Sequence, residues 1–251
     1  MNQVAQLQNL TRCLLAAGYA TSRDGKERYL LYVDAQTSFL QCQYWSGNYL
    51  VDDELVTSDV RPNSTAAYLI TRASDIIICI TPSSTLTSYT YDDEECEWVQ
   101  NDDDTLSSYV VHQNGKLTAS VDANGRIHIV FQDASQCLTY LVKGRPSTVL
   151  PFVWPILGSP LSISVVGNTL HVYYISAKDE FIHHVSGVND TWNDRIVIKR
   201  RFDKKIQSFV EVGTESGDNE LYVMTEDDAL LKVNTQEHLM KLGTVQKGKF
   251  V

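Results

Sequence analysis

The chain has 251 residues, 43% of them hydrophobic, and carries 31 acidic against 21 basic side chains for a net charge of −10. Such a field repels phosphate backbones and anionic lipid, so neither nucleic acid nor a membrane is expected as a partner. The first ten residues lack a basic start and a long apolar stretch, and no apolar run approaches the ~18 residues of a membrane helix. The expectation is one cytoplasmic domain spanning residues 1–251. Cys13, Cys42, Cys79, Cys96 and Cys137 are odd in number and lack CxxC spacing, which predicts buried free thiols. The sequons at Asn9, Asn63 and Asn189 are discounted without a leader.

The first dozen residues allow a short amphipathic helical turn, and no convincing helical periodicity follows. A four-strand unit then recurs. First strands run near 14–21, 65–71, 116–123, 161–167 and 208–214; most carry small residues such as Ala16-Ala17-Gly18, Ala66-Ala67 and Ala119-Ser120. Apolar-aromatic second strands follow at 28–34, 75–81, 126–132, 169–175 and 219–225. Short polar turns, 35–38, 82–85, 133–136, 176–179 and 226–228, lead to third strands at 39–45, 86–91, 137–143, 181–186 and 230–235. Units repeating every ~45 to 50 residues with small innermost side chains define an all-β fold, a β-propeller of four-stranded antiparallel blades. Five blades account for nearly all residues, and a sixth, degenerate one stays open.

The stretch Leu161–Trp192, and more weakly Lys116–Lys143, resembles a blade of the fungal fucose-specific lectins. Those lectins are six-bladed, and the resemblance implies sugar sites between blades. Each site is built from an arginine in the second strand, a glutamate in the third and tryptophans against the sugar. Here the arginine position is read as Leu30, Ile77, His128, His171 and Leu221. The glutamate position is read as Cys42 or Gln43, Tyr89, Tyr140, His184 and Val233. Neither charge is kept, while Trp98, Trp192 and Trp45 remain as aromatic partners, so the expectation is a lectin scaffold with the sugar site largely erased.

The fourth unit concentrates His171, Tyr173, Tyr174, His183, His184 and Trp192, near Tyr140 and a proline-stiffened loop holding Phe152 and Trp154. Strand alternation sets His171 with Tyr173 on one face and Tyr174 on the other, and splits His183 from His184. An aromatic pocket with a few donors suits an apolar organic ligand. The resemblance extends to lectin-like propellers that act as hetero-Diels-Alderases in fungal biosynthesis. It implies a catalyst that joins a tropolone-type quinone methide to a sesquiterpene by positioning and hydrogen bonding. His184, His171 and Tyr174 are the expected carbonyl donors, with Trp192, Tyr140, Trp154, Phe152 and Tyr173 as walls. No cofactor or metal is expected, since His183-His184 lacks ligand spacing and no GxSxG, P-loop or CxxC motif occurs. The alternative is a diverged lectin or another binding propeller, with homo-oligomerisation left open. The acidic runs Asp92–Glu95 and Asp102–Asp104 are read as solvated loops rather than calcium sites, and the basic run Lys199–Lys205 as a solvated edge.

Overall fold

A computed structural model describes residues 3–22, 24–34, 36–101, 105–188, 191–213, 219–233, 238–246 and 249–251. Ala35, the Asp102–Asp104 run, Asn189, and the ends expected for two last-unit strands at 214 and 234–235 lie outside the described residues. After helix α1 (Gln3–Leu15), the first blade comprises β1 (Gly18–Thr21), β2 (Glu27–Val33), β3 (Leu40–Ser46) and β4 (Tyr49–Thr57). The second comprises β5 (Ala67–Ile70), β6 (Asp75–Ile80), β7 (Leu86–Asp92) and β8 (Glu97–Gln100). The third has β9 (Leu117–Val121), β10 (Ile127–Gln132), β11 (Leu138–Val142) and β12 (Thr148–Val149). The fourth has β13 (Ser162–Val166), β14 (Thr169–Ile175), β15 (Ile182–Val188) and β16 (Thr191–Ile198). The fifth has β17 (Ile206–Gly213), β18 (Asn219–Thr225), β19 (Ala229–Val233) and β20 (Leu239–Gln246), extended by β21 (Lys249–Phe250). Every sheet follows chain order, and the five antiparallel blades form a β-propeller.

Both faces of a blade are apolar, so each packs against a neighbour. Leu31, Leu40 and Val56 of blade one meet Ala66, Ile77 and Cys79 of blade two. Ile78 and Ile80 meet Ile129 and Phe131 across the next interface, Val130 and Leu138 meet Val172 and Val185, and Ile175 and Ile182 meet Val223 and Leu231. The amphipathic turn expected at the start is a 13-residue helix that reaches Leu15, where a strand was expected to have begun. Its length follows from a stripe at Leu7, Leu10 and Leu14, which packs on Val210, Met224, Leu230 and Val245 of blade five. On its other side the Arg12 guanidinium lies 3.9 Å over the Trp45 ring of blade one. The helix therefore bridges the last blade and the first. Ser208 Oγ donates to the Leu14 carbonyl, one of the acceptors a helix end leaves unpaired.

The turns joining second and third strands repeat in backbone geometry. Ser38, Ser84, Gln136, Glu180 and Asp228 each adopt positive φ, one per blade, closing hairpins whose polar side chains cap neighbouring amides. Asp133 Oδ1, for example, accepts from the amides of Ser135 and Cys137. All five cysteines are free; Cys13, Cys42 and Cys79 are buried as expected, whereas Cys96 is exposed on the β7–β8 turn.

Small residues on the innermost strands let blades approach along the axis. A Cβ on Gly18 would lie 2.0 Å from the Ala66 carbonyl oxygen, a backbone atom that cannot swing aside. Gly18→Ala is therefore expected to lower unfolding stability by about 1–3 kcal/mol. Urea denaturation checks this, and a midpoint equal to that of the parent protein would contradict the close approach.

Candidate functional site

Strand register identifies one pair of positions that recurs in every blade. Pairing sets Leu31 opposite Cys42, Ile78 opposite Ser88, Val130 opposite Tyr140, Tyr173 opposite His184 and Tyr222 opposite Lys232. Two residues earlier on each second strand, on the same face, stand Tyr29, Ile76, His128, His171 and Glu220. The diagonal pairs are thus Tyr29/Cys42, Ile76/Ser88, His128/Tyr140, His171/His184 and Glu220/Lys232. This register corrects part of the sequence assignment. Leu30, Ile77, Leu221, Tyr89 and Val233 are each one residue out of step and point to the opposite face. His128, His171, Tyr140, His184 and Cys42 stand where the alignment put them.

In three blades the diagonal pair satisfies itself. Lys232 Nζ lies 2.6 Å from Glu220 Oε1, and His128 Nδ1 lies 2.8 Å from the Tyr140 hydroxyl while its Nε2 faces Asp122 at 3.3 Å. Asp122 is held below the usual carboxylate range: burial pushes it up, but hydrogen bonds from the Arg126 amide, the Arg126 guanidinium and His128 outweigh that. In blade four His171 Nδ1 meets His184 Nε2 at 2.9 Å, and Arg195 Nε donates to His184 Nδ1 at 3.1 Å. A neutral imidazole that accepts at Nδ1 must carry its proton on Nε2, so His184 donates to His171. Both ring nitrogens of His184 are therefore engaged within the protein.

The residues expected to form one pocket divide between two interfaces. His171, Tyr173 and His184 face blade five; Tyr173 stacks on His184 with centroids 4.6 Å apart, and its hydroxyl donates to Glu211. Tyr174, Tyr140 and Trp192 face the interface of blades three and four. Tyr174 is 1% exposed beside His183, whose ring nitrogens meet Asp179 and Asp194. Burial, then Asp194, pushes its phenol pKa up. Trp192 lies on Gly187, where a Cβ would fall 2.2 Å from its ring, and meets Tyr140 edge-on at 5.6 Å. Phe152 and Trp154 are exposed, and Lys178 Nζ sits 4.0 Å over the Trp154 ring. The structure thus brings together His171, His184 and Tyr173, and separately Tyr174, Tyr140 and Trp192, but not the two groups.

Blade one differs. Tyr29 and Cys42 make no hydrogen bond to each other, and the interface with blade two holds a cavity of about 230 Å³. Tyr29 stacks between Tyr44 at 5.2 Å and Tyr68 at 4.7 Å, while Trp98 meets Tyr68 and Tyr91 edge-on. Trp98 sits opposite Tyr91 as Trp192 sits opposite Gly187, so the two tryptophans are structural equivalents. Trp98 also lines this cavity, while its Nε1 is buried away from it without a hydrogen-bond partner. Asp52, Glu54, Asp75 and Asp93 supply the charged lining. Sequence reasoning named Cys42, Trp98 and the Asp92–Glu95 run but not the other lining residues; the signal was Tyr29 and Tyr68 on apolar strands with a carboxylate at Asp75. A second cavity, about 480 Å³, follows the central axis among small residues, with Lys116 as its charged lining residue.

No model of a protein family matches the sequence, and no curated protein matches it. Solved structures that superpose on it include fucose-binding lectins that are β-propellers, one of them described as six-bladed where this chain has five blades. The structure of SapL1 lectin in complex with α-methyl fucoside superposes with a TM-score of 0.66 at 12% identity, over 94% of this chain and 83% of that one. A variant of the Aleuria aurantia lectin in complex with α-methyl-L-fucoside gives 0.67 at 13%, over 93% and 82%. A further structure of the Aleuria aurantia lectin, described as a six-bladed β-propeller, gives 0.63 at 15%, over 92% and 77%.

His184 makes the site legible by pH. Burial first, then Arg195 and His171, lower its pKa from 6.5 to about 4. The unfolded chain therefore binds more protons between those values, so stability is full above pH 6.5 and falls as pH drops toward about 4. Urea midpoints are expected to decline across that window, by up to about 3 kcal/mol from this residue. In His184→Gln the decline should be visibly shallower, and an unchanged slope would contradict the assignment.

Proposed function

We propose that this protein binds a saccharide in the cleft between blades one and two. The observation that carries the reading is the open diagonal pair Tyr29/Cys42, in a cavity lined by five aromatic residues and four carboxylates. Sugars present apolar C–H faces that pack on rings and hydroxyls that both donate and accept. The cleft offers aromatic surface for the C–H face and carboxylates for hydroxyl hydrogens. A place between blades is where the resemblance to the fucose-specific lectins puts a sugar, and two of the propellers that superpose on this chain were solved with α-methyl fucoside. Blades three, four and five have turned the equivalent positions inward on each other, and in blade two Ser88 accepts from Asn101 and from Lys143 of blade three beside the apolar Ile76, so the reading is of one site rather than one per blade.

The hetero-Diels-Alder cycloaddition of a quinone methide with a sesquiterpene, in an apolar pocket at blade four, has less support. It asks His184, His171 and Tyr174 to meet one carbonyl beside Trp192 and Tyr140. His184 is saturated, Tyr174 is buried, and the walls lie across the sheet from the histidines. Incubation with both reactants should leave the uncatalysed product ratio unchanged; a shifted ratio would restore that reading.

Trp98→Leu keeps an apolar side chain and removes one aromatic wall of the cavity. The expected result is a folded protein with roughly tenfold weaker saccharide binding on a glycan array and by calorimetry. Full binding by the variant would remove the cleft as the site.

A further inference from the structure

We infer that the saccharide this cleft selects is cationic, an amino sugar with a free ammonium group; the inference rests on the saccharide reading above. Every charged side chain lining the cavity is an acid: Asp52 and Glu54 from β4, Asp75 at the start of β6, and Asp93 after β7. No lysine or arginine lines it. Arg28, the nearest in sequence to Tyr29, points to the opposite face and reaches toward the Gly25 and Gly47 carbonyls.

Among the described residues, no lysine or arginine forms an ion pair with these carboxylates. Asp75 accepts a 2.6 Å hydrogen bond from the Tyr68 hydroxyl, which supplies a dipole but no positive charge. The groups around the cleft register the resulting field. Burial and then the neighbouring carboxylates push the Cys42 thiol up to about 12, and burial with Glu27 and Asp75 does the same to the Tyr29 phenol, also to about 12. Asp75 itself is raised by burial and by Asp93, the Tyr68 bond opposing them.

The aromatic walls favour the same ligand. Five aromatic residues line the cavity, and aromatic rings attract a cation as well as a sugar's C–H surface. A neutral sugar would meet the rings while leaving several carboxylates to share weak hydroxyl donors. An amino sugar meets both: its ammonium lies beside Asp75 with Glu54 or Asp93, and its C–H surface packs on the aromatic lining. A cavity of about 230 Å³ suits one such residue, with the exposed Asp52 and Asp93 at its edge for a second.

The test is calorimetric titration of the whole chain at pH 6 with three probes: the β-1,4-linked glucosamine trimer, its fully N-acetylated counterpart, and spermidine. The expected result is glucosamine trimer binding at least about tenfold tighter than the acetylated trimer and than spermidine, with an affinity that falls as salt rises. Asp75→Asn and, separately, the surface change Asp93→Asn should each shrink the preference for amine over acetamide. The second variant guards against misfolding of the first. Equal binding of the amino and acetylated trimers would overturn the inference and leave the saccharide reading standing. Spermidine binding as tightly as the glucosamine trimer would overturn the assignment to a sugar. Absence of binding by all three would overturn this inference, whereas the saccharide reading falls only if the glycan array is also blank.

Discussion

A blade apolar on both faces is stable only between two neighbours, and this propeller meets that condition four times with blade side chains and once with a helix. Each interface is sealed low down by Leu, Ile and Val, where geometry repeats. It is finished near the rim by whatever occupies the diagonal pair of second and third strands. At the break in the ring, α1 presents leucines to blade five and an arginine to Trp45 of blade one. Free energy of folding is thereby spread over equivalent contacts, leaving the rim positions open to vary.

The fate of those rim positions separates scaffold from site. Glu220 with Lys232, His128 with Tyr140 and His171 with His184 show three chemically different ways of closing the same gap. A buried polar group is costly when unpaired, so a pair that meets across the strands is self-sufficient and asks nothing of a ligand. Tyr29 and Cys42 are not such a pair. Their interface keeps its volume, its rings and its carboxylates. The asymmetry among blades, rather than their similarity, marks where a ligand belongs.

Much of the fold was legible in the sequence because hairpin chemistry and strand alternation are local. The second strands expected at 75–81 and 169–175 end within a residue of β6 and β14. The helix was read too short because its apolar stripe gains meaning only against blade five, a contact more than 190 residues away. The candidate site was less legible. Blade four is rich in histidine and tyrosine, which in sequence look like donors awaiting a ligand. In space His184 is consumed by Arg195 and His171, and Tyr174 is closed off. The one-residue slip at Leu30 had the opposite effect. It hid Tyr29 at the position where the open cleft begins, and with it the partnership of Tyr29, Tyr68 and Trp98, which belong to two blades.

The central claim is that one interface, between blades one and two, is open for binding while the equivalents are closed by their own side chains. A crystal structure of the chain soaked with the glucosamine trimer tests it most directly. The account predicts one sugar per chain in the cavity lined by Tyr29, Tyr68 and Trp98, with its polar groups donating to the carboxylates there. Sugar seated at Trp192, or repeated from blade to blade, would contradict it.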